Sequence, residues 1–326
     1  MSLREIVDRV PLCLPDGRLN PEAIGYTRRP LHEPNLRGWG RNKRWEYWGL
    51  ISPTHVLGLT IASLDYAGLA HVYLLDRRDG SYFSEERVLP FARGVRLEDA
   101  IEPERAEVGG CLKIAFTREP DGTRLRVKSP RLELDAIARS RGDALGVVVP
   151  WSETRFQYTL KDVARSLEGT LCVDGESIDL RPDESSAILD RGRGRWPREI
   201  MWNWGAGFGV VGGRAIGLQL GGKWTDGTGS TENAIIVDGR LEHLGEELRW
   251  EYERDNADGL WRVRSERVDA TLKPFHLRRE ATNLLLIRSS IYQAVGVWSG
   301  SARLRSGEEI ALGGLVGWAE EATHLW

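Results

Sequence analysis

The sequence is poor in the residues that build metal sites and disulfide frameworks. It contains three cysteines, Cys13, Cys111 and Cys172, and six histidines, and neither set has the close spacing of metal ligands. An odd and scattered set of cysteines is typical of a reducing compartment rather than of a disulfide scaffold. We therefore expect no metal site and no structural disulfide.

Long apolar runs and blocks of like charge are also lacking. No segment approaches the roughly 20 apolar residues of a membrane span, and the first residues lack the apolar core of a signal peptide. The 45 basic and 48 acidic residues are interspersed and give a formal net charge of −3, so no basic surface is expected to bind nucleic acid. These features predict a cytoplasmic protein without a membrane span, and they are compatible with a homodimer.

Helical periodicity is almost absent. Only Leu160–Leu167, with room for two helical turns, and the short stretch at Glu22–Ile24 have a suitable spacing. Asp-Gly steps, which favour tight hairpins, occur at positions 16, 79, 121, 174, 226, 238 and 258. Segments such as Leu248–Glu253 alternate between apolar and polar residues, as half-buried strands do. The sequence predicts an all-β protein.

An internal repeat divides the chain into two related halves. Residues 112–136 match residues 248–272 at a constant offset, with identities at Leu112/Leu248, Arg118/Arg254, Arg126-Val127/Arg262-Val263, Ser129/Ser265 and Arg131/Arg267. Two further matches, Trp48-Gly49 with Trp204-Gly205 and Gly175–Leu180 with Gly307–Leu312, follow the same order. The repeat predicts an N-terminal arm (1–39) and two antiparallel barrel or sandwich units (40–196 and 197–326).

Tryptophan is unusually abundant, since thirteen tryptophans outnumber the six phenylalanines. Many of them stand beside glycine or a charged residue rather than inside apolar runs. In one interpretation, most of the tryptophans are core residues whose large rings pack against the sheets. In the other, some of the rings line a pocket at a barrel mouth or between the units.

One glycine-rich segment satisfies a nucleotide-binding pattern. Gly207–Gly212 has the spacing of a dinucleotide fingerprint, but that fingerprint requires a following helix whose N-terminus faces the phosphates. The next residues, Ile216–Gly222, are too rich in glycine for a helix and have no helical period. The glycines more readily permit strand curvature, and we expect neither a nucleotide nor any other cofactor.

Acidic residues inside apolar strands indicate a candidate site. The segment Thr231–Val237 resembles a strand with two apolar faces, so either Glu232 or Asn233 is expected to point into a buried interior. Asp65 poses the same question at the corresponding place in the first unit. Such an acid is either the structural partner of an arginine, such as Arg41 or Arg44, or a carboxyl group whose burial raises its pKa and makes it a proton donor.

Several motifs carry a resemblance that extends over nearly the whole chain. They are Gly17–Asn20, Gly25–Leu31, Lys43–Trp48, Leu64–Tyr66, Leu189–Pro197, Trp202–Gly205, Gly221–Gly229, Thr231–Asn233 and Gly317–Glu321. On these motifs the chain resembles the domain of unknown function 2804 family. That family is distantly similar to the two-domain, lipocalin-like group of carotenoid 1,2-hydratase, AttH-like proteins and tocopherol cyclase.

The resemblance implies two tandem lipocalin-like units that enclose a small, largely apolar molecule of isoprenoid, lipid or polyketide type. It also implies a cofactor-independent lyase (hydratase or dehydratase), isomerase or cyclase, with a non-catalytic carrier or sensor and a protein-interaction module as alternatives. The predicted proton donors are Glu232, Asp65 and Asp190. The predicted ligand-binding residues are Trp48, Tyr66, Trp204, Trp224, Asn233, Tyr292 and Gln293.

Overall fold

The computed structural model describes residues 3–254, 256, 258–284 and 287–325. Among these residues, the only helical element is a 3₁₀ turn at Pro21–Ala23, and none of the described helices is long and apolar enough to cross a membrane. The N-terminal arm contains this turn and three short strands, β1 (Val10–Pro11), β2 (Tyr26–Thr27) and β3 (His32–Glu33). Leu12, Leu19 and Ala23 pack into the core of the first sheet, so the arm covers that sheet.

The first sheet contains β2 and the strands β4 (Asn42–Ile51), β5 (His55–Ser63), β6 (Ala67–Asp76), β7 (Tyr82–Pro90), β8 (Val95–Leu97), β9 (Arg105–Val108), β10 (Lys113–Glu119), β11 (Gly122–Lys128), β12 (Leu132–Arg139), β13 (Leu145–Ser152), β14 (Arg155–Val173), β15 (Glu176–Leu180) and β16 (Ser186–Arg195). Its strand order is β7-β6-β5-β4-β16-β14-β12-β11-β10-β9-β8. β8 returns to contact β5, so the sheet forms a nearly closed barrel.

The second sheet contains β17 (Glu199–Val211), β18 (Arg214–Gly222), β19 (Ala234–Val237), β20 (Arg240–His243), β21 (Arg249–Glu251), β22 (Trp261–Arg264), β23 (Val268–Leu284), β24 (Ile287–Arg303), β25 (Glu309–Ala311) and β26 (Leu315–Leu325). The order β20-β19-β18-β17-β26-β24-β23-β22-β21 forms a half-barrel. It repeats the order of the first sheet, which confirms the prediction of two tandem antiparallel units.

The residues that define the sequence repeat lie at equivalent places in the two sheets. Arg126 on β11 pairs in register with Asp135 on β12, and Arg262 on β22 pairs with the corresponding residue Thr271 on β23. Ile178 and Ile310 lie on the short strands beside β14 and β24. The matched Trp-Gly pairs lie on β4 and β17 but face opposite ways. Trp48 is in the core of the first sheet, whereas Trp204 faces the first sheet from the second.

Two sequence expectations about local structure need correction. Leu160–Leu167 is part of the long strand β14 and not a helix. Its pairing with β16 shifts register between Asp162 and Arg165, and this β-bulge lets both faces bury apolar residues with a spacing that resembles a helical period. The strand expected at Thr231–Val237 begins only at Ala234, so Glu232 precedes it in an irregular segment.

Gly207–Gly212 lies in the β17–β18 hairpin, with no helix after it.

The two sheets pack against each other through their outer faces. Ile51, Val147 and Ile188 from the first sheet contact Ala206 and Trp318 from the second in a shared apolar cluster. A Cβ atom at Gly49 would lie only 2.2 Å from Cη2 of Trp318, so glycine at this position permits the close approach. Each sheet has its own apolar core. The first sheet also encloses buried charged residues, including the ion pair between Glu46 and Arg191, beside a second cavity.

Candidate functional site

A cavity of about 260 Å³ lies between the two sheets. Strands β4 to β7, β14 and β16 form its wall on the first sheet, and β17, β23, β24 and β26 form its wall on the second. The connection between β18 and β19 adds Trp224 and Glu232. Its volume is near the lower end of the range for small-molecule pockets, roughly 300–1,000 Å³.

A row of polar side chains crosses the first sheet at this cavity. His71, Thr60, Tyr47, Asp190 and Lys161 are successive register partners on β6, β5, β4, β16 and β14. Register partners on neighbouring strands point to the same face of a sheet, and the neighbours of this row along each strand, such as Trp48, Leu59 and Leu189, point to the opposite face. The strand register thus brings five polar groups from distant parts of the chain to one wall.

The second sheet presents a shorter row opposite the first. Trp204, Glu320, Gln293 and Arg278 are successive partners on β17, β26, β24 and β23, and all of them line the cavity. Glu320 accepts hydrogen bonds from Trp202 Nε1 at 3.1 Å and from Gln293 Nε2 at 2.9 Å. Burial raises the pKa of Glu320 above its usual value, although Arg278 opposes this shift.

Glu232 is the least satisfied acid of the cavity. Its side chain is almost completely buried, and Oε1 has no hydrogen-bond partner among the described residues. The nearest cation, Lys161 Nζ, is 4.0 Å from Oε2. Burial raises the pKa of Glu232 to about 7, Lys161 opposes the shift, and Asp190 adds to it. Near neutral pH a substantial fraction of this carboxyl group carries a proton that it can donate.

Trp224 and Gly221 enclose this carboxyl group. The indole N–H of Trp224 makes no hydrogen bond of ordinary geometry, but it lies close enough to favour the ionised form of Glu232 slightly. A Cβ atom at Gly221 would lie 3.1 Å from both Cβ and Oε2 of Glu232. The absence of a side chain on β18 therefore creates the space that the carboxyl group occupies.

Asp190 and Lys161 form a buried ion pair next to Glu232. Lys161 Nζ is 2.8 Å from Asp190 Oδ2, and Thr159 Oγ1 donates to Oδ1 of the same carboxylate at 3.1 Å. The ammonium group also lies 4.5 Å from the centroid of the Trp204 ring. Asp190 therefore has a close cation and a hydrogen-bond donor, whereas Glu232 has its nearest cation at 4.0 Å and one oxygen without a partner among the described residues.

Tryptophans form one end of the cavity. The ring centroid of Trp196 is 4.9 Å from that of Trp45, 5.8 Å from that of Trp202 and 5.6 Å from that of Trp224. All four line the cavity and pack in a separate apolar cluster. Edge and face contacts of this kind create an apolar wall that presents π-electron density to a ligand.

The structure brings Glu232, Asp190, Trp204, Trp224 and Gln293 together on the wall of this cavity. These residues come from both halves of the chain. The strand pairing of both sheets is therefore needed to bring them together.

Asp65 and Tyr66 lie in the β5–β6 turn, outside the lining of the cavity. The carboxylate of Asp65 accepts hydrogen bonds from the backbone N–H groups of Gly40 and Asn42 and pairs with Arg44 at 3.0 Å. The Tyr66 hydroxyl accepts a hydrogen bond from Lys43 Nζ at 3.0 Å. Asp65 thus has the arginine partner that the structural interpretation of the sequence expected.

Trp48, Asn233 and Tyr292 also lie outside the cavity lining. Trp48 is fully buried in the core of the first sheet. Asn233 connects two segments, because its Oδ1 accepts from Gly221 N at 2.6 Å and its Nδ2 donates to Glu246 O at 2.7 Å. Tyr292 packs in the core of the second sheet, with its ring centroid 5.6 Å from that of Trp261.

Sequence reasoning missed Lys161, Glu320, Arg278, Tyr47 and Tyr73, all of which line the cavity. Lys161 was hidden because its segment resembled a helix. Glu320 carries the same signal that identified Glu232, an acid in an apolar segment, and it belongs to the Gly317–Glu321 motif. Within the described ranges, no group of three His, Cys, Asp or Glu side chains is close enough together to hold a metal ion.

Several solved structures share this architecture. Kievitone hydratase from Nectria haematococca aligns over 88% of this chain and 89% of its own, with 11% identity and a TM-score of 0.55. A putative AttH from Nitrosomonas europaea aligns over 87% and 92%, with 14% identity and a TM-score of 0.52. CghA with Sch210972 aligns over 88% of both chains, with 12% identity and a TM-score of 0.51. At these identities the similarity establishes the fold.

No curated protein matches the sequence significantly. The family model for a domain of unknown function, DUF2804, matches residues 3–326, which is nearly the entire chain. The chain therefore belongs to the DUF2804 family.

Proposed function

We propose that the cavity binds a small, largely apolar, unsaturated molecule and that Glu232 protonates it, in a hydratase-, isomerase- or cyclase-type reaction that uses no cofactor. One observation carries the proposal. Glu232 is a buried acid with an unsatisfied oxygen and a pKa raised to about 7, and it lies on the wall of a tryptophan-lined cavity. A general acid works best when its pKa is near the working pH.

In the proposed step, the O–H bond of Glu232 breaks while the π electrons of a substrate C=C bond form a new C–H bond. The other carbon of the double bond becomes cationic, and Glu232 becomes a carboxylate. Loss of a different proton to this carboxylate isomerises the substrate. Attack by water, or by a second double bond followed by proton loss, gives hydration or cyclisation, and in each case the released proton returns to Glu232.

The surroundings of Glu232 suit a cationic intermediate. The ring of Trp224 offers π-electron density to a positive centre, whereas the ring of Trp204 already has the ammonium group of Lys161 over one face. Asp190 neutralises Lys161, so the ammonium group opposes a developing cation less than a lone charge would. The tryptophan cluster at one end of the cavity provides the apolar surface that a hydrocarbon skeleton requires.

The named neighbours support the choice of reaction class by analogy. A hydratase shares the fold, and another neighbour, CghA, was solved with Sch210972. One fold hosts many functions, so the argument rests on Glu232 and the cavity.

Deuterium incorporation tests the proposal without knowledge of the natural substrate. Farnesol and geranylacetone, incubated with the protein in D₂O, should acquire carbon-bound deuterium, measured by mass spectrometry. Glu232→Gln should lower the rate by about 100-fold or more, because the amide keeps the shape but loses the acidic proton. Glu133→Gln is the matched control, since Glu133 is an exposed residue of β12 outside the cavity.

Binding is followed separately by quenching of tryptophan emission. Saturable quenching without deuterium incorporation would favour the carrier or sensor. Absence of quenching by every apolar probe would favour the protein-interaction module and contradict the proposal. Equal rates for wild type and Glu232→Gln would remove Glu232 from the chemistry.

A further inference from the structure

Two tyrosines of the cavity wall are paired through their hydroxyl groups. Tyr47 on β4 and Tyr73 on β6 both line the cavity, and their hydroxyl oxygens are 3.1 Å apart. Neither hydroxyl has another hydrogen-bond partner in the described part of the chain. The proposed proton donation does not use this pair.

The hydrogen-bonding capacity of the pair is incomplete. Two hydroxyls carry two protons, and the bond between them uses one. The second proton has no protein acceptor among the described residues. A buried polar hydrogen without an acceptor costs free energy, which a ligand oxygen in the cavity would recover.

The surroundings favour an acceptor oxygen over a donor group. Burial raises the pKa of Tyr73 to about 12 and that of Tyr47 well above its usual value, so both hydroxyls remain protonated at neutral pH. The guanidinium group of Arg278 lies 4.2 Å from the centroid of the Tyr73 ring. Arg278 is paired with Glu280, and the part of its positive potential that remains attracts the partial negative charge of a carbonyl oxygen.

A chain of contacts links the pair to the proposed acid. The Tyr47 ring packs edge-on against Trp204 with centroids 5.5 Å apart, and Trp204 carries Lys161 on its face. Lys161 Nζ in turn is 4.0 Å from Glu232. A ligand that places an oxygen at the tyrosines can therefore present carbon atoms to Trp204 and Glu232.

We infer that Tyr47 and Tyr73 form an oxygen-binding subsite and that the ligand of this cavity is an apolar molecule with a carbonyl group. The inference rests on the proposed use of the cavity as a ligand site, and it adds the polar group by which the ligand is oriented.

Matched naphthalene probes test the subsite. We would measure the affinity of 2-acetylnaphthalene and of its hydrocarbon isostere, 2-isopropenylnaphthalene, by isothermal titration calorimetry. The ketone should bind about 10-fold more tightly to the wild type, the effect expected of one protected hydrogen bond. Its carbonyl stretch should shift to lower frequency on binding, as measured by infrared difference spectroscopy.

Variants distinguish the two hydroxyls from general packing. Each single variant, Tyr47→Phe or Tyr73→Phe, keeps one free O–H and should keep part of the ketone preference. The double variant should lose the whole preference and the infrared shift, while its affinity for the hydrocarbon is unchanged. Tyr292→Phe is the matched control, because its hydroxyl is also buried without a partner but lies in the core of the second sheet.

The outcomes separate this inference from the proposed function. If both probes bind the wild type equally, or if the double variant keeps the ketone preference, the subsite is wrong while the ligand cavity stands. Tighter binding of the matched alcohol, 1-(2-naphthyl)ethanol, than of the ketone also overturns the inference. If neither probe binds, the proposed ligand cavity fails, and the subsite fails with it. Unchanged hydrocarbon binding shows that the double variant is folded.

Discussion

Each unit of the molecule has an acidic residue in the connection between its second and third strands. Asp65 lies between β5 and β6, and Glu232 lies between β18 and β19. Both are buried, with 8% and 1% of their surfaces exposed. Their equivalent positions in two topologically matched units allow a direct comparison of how the fold treats a buried acid.

The fold satisfies Asp65 completely. Its carboxylate accepts two backbone hydrogen bonds and contacts the guanidinium group of Arg44 directly. Its backbone has a left-handed conformation, with a φ of 68°, which aspartate tolerates better than most residues. Asp65 thereby joins the turn to the arm and to the first strand of its sheet, which is a structural role.

Glu232 receives much less. The cation nearest to Glu232 is Lys161, which is paired with Asp190. One carboxyl oxygen of Glu232 has no hydrogen-bond partner among the described residues. Buried polar groups are normally hydrogen-bonded, and exceptions call for an explanation. The comparison indicates that one unit uses this connection to stabilise the fold, while the other keeps an unsatisfied acid beside a cavity.

Removal of the neighbouring cation should affect the two sites to different extents. Lys161→Met leaves Asp190 buried as an unpaired anion, and we expect a loss of about 3–5 kcal/mol in the free energy of unfolding. Arg44→Met should cost only about 1–2 kcal/mol, because Asp65 keeps two backbone hydrogen bonds. Urea unfolding measures both losses.

A second substitution provides the control for this experiment. Asp190→Asn in the Lys161→Met background removes the stranded charge but keeps a group that hydrogen-bonds to Thr159. The double variant should therefore recover part of the lost stability. Equal losses in the free energy of unfolding for Lys161→Met and Arg44→Met would contradict the view that stability depends more on Lys161 than on Arg44.

The pH dependence of stability should identify Glu232 as an acid that the fold prefers to keep protonated. Its pKa is about 7 in the folded protein against an ordinary value of 4.5, so the folded state binds the proton more tightly than the unfolded state. The contribution to stability is complete below pH 4.5 and is lost as the pH rises through 7. Each pKa unit corresponds to 1.36 kcal/mol, so the full change is about 3 kcal/mol.

Glu232→Gln should remove this part of the pH dependence. Relative to the wild type, the variant should gain about 3 kcal/mol between pH 4.5 and pH 8 in urea unfolding experiments. Parallel stability curves for the two proteins would mean that the pKa of Glu232 is not raised. Glu133→Gln, a substitution at an exposed position of β12, serves as the control.

Much of the fold could be predicted from the sequence because turns and alternation are local signals. At Asp174-Gly175 and Asp238-Gly239 both residues have positive φ, as two-residue hairpins between twisted strands require. The helix expected at Leu160–Leu167 failed because a β-bulge, which depends on pairing with β16, altered the spacing of its buried residues.

The candidate site was only partly predictable. Glu232 was accessible to sequence reasoning because an acid in an apolar segment is a local signal. Arg278, Gln293 and Glu320 form a row only through the register of β23, β24 and β26, which no local pattern reveals. Trp48 and Trp204 share a Trp-Gly motif, but Trp48 lies in the core of the first sheet and Trp204 lies in the cluster between the sheets. The motif does not indicate which face of its strand a tryptophan occupies.

The smallest predicted difference concerns neutral isosteres of the two acids. Asp65→Asn should lower the free energy of unfolding by about 1–2 kcal/mol, because the amide nitrogen replaces either Oδ2, which accepts from two backbone N–H groups, or Oδ1, which accepts from Arg44. At pH 5, where the folded protein holds Glu232 largely protonated, Glu232→Gln should change the stability by no more than about 0.5 kcal/mol. Chemical denaturation at that pH compares the two variants directly. If Glu232→Gln lowers the free energy of unfolding as much as Asp65→Asn does, then Glu232 has a structural partner. The acids of the two connections would then both stabilise the fold.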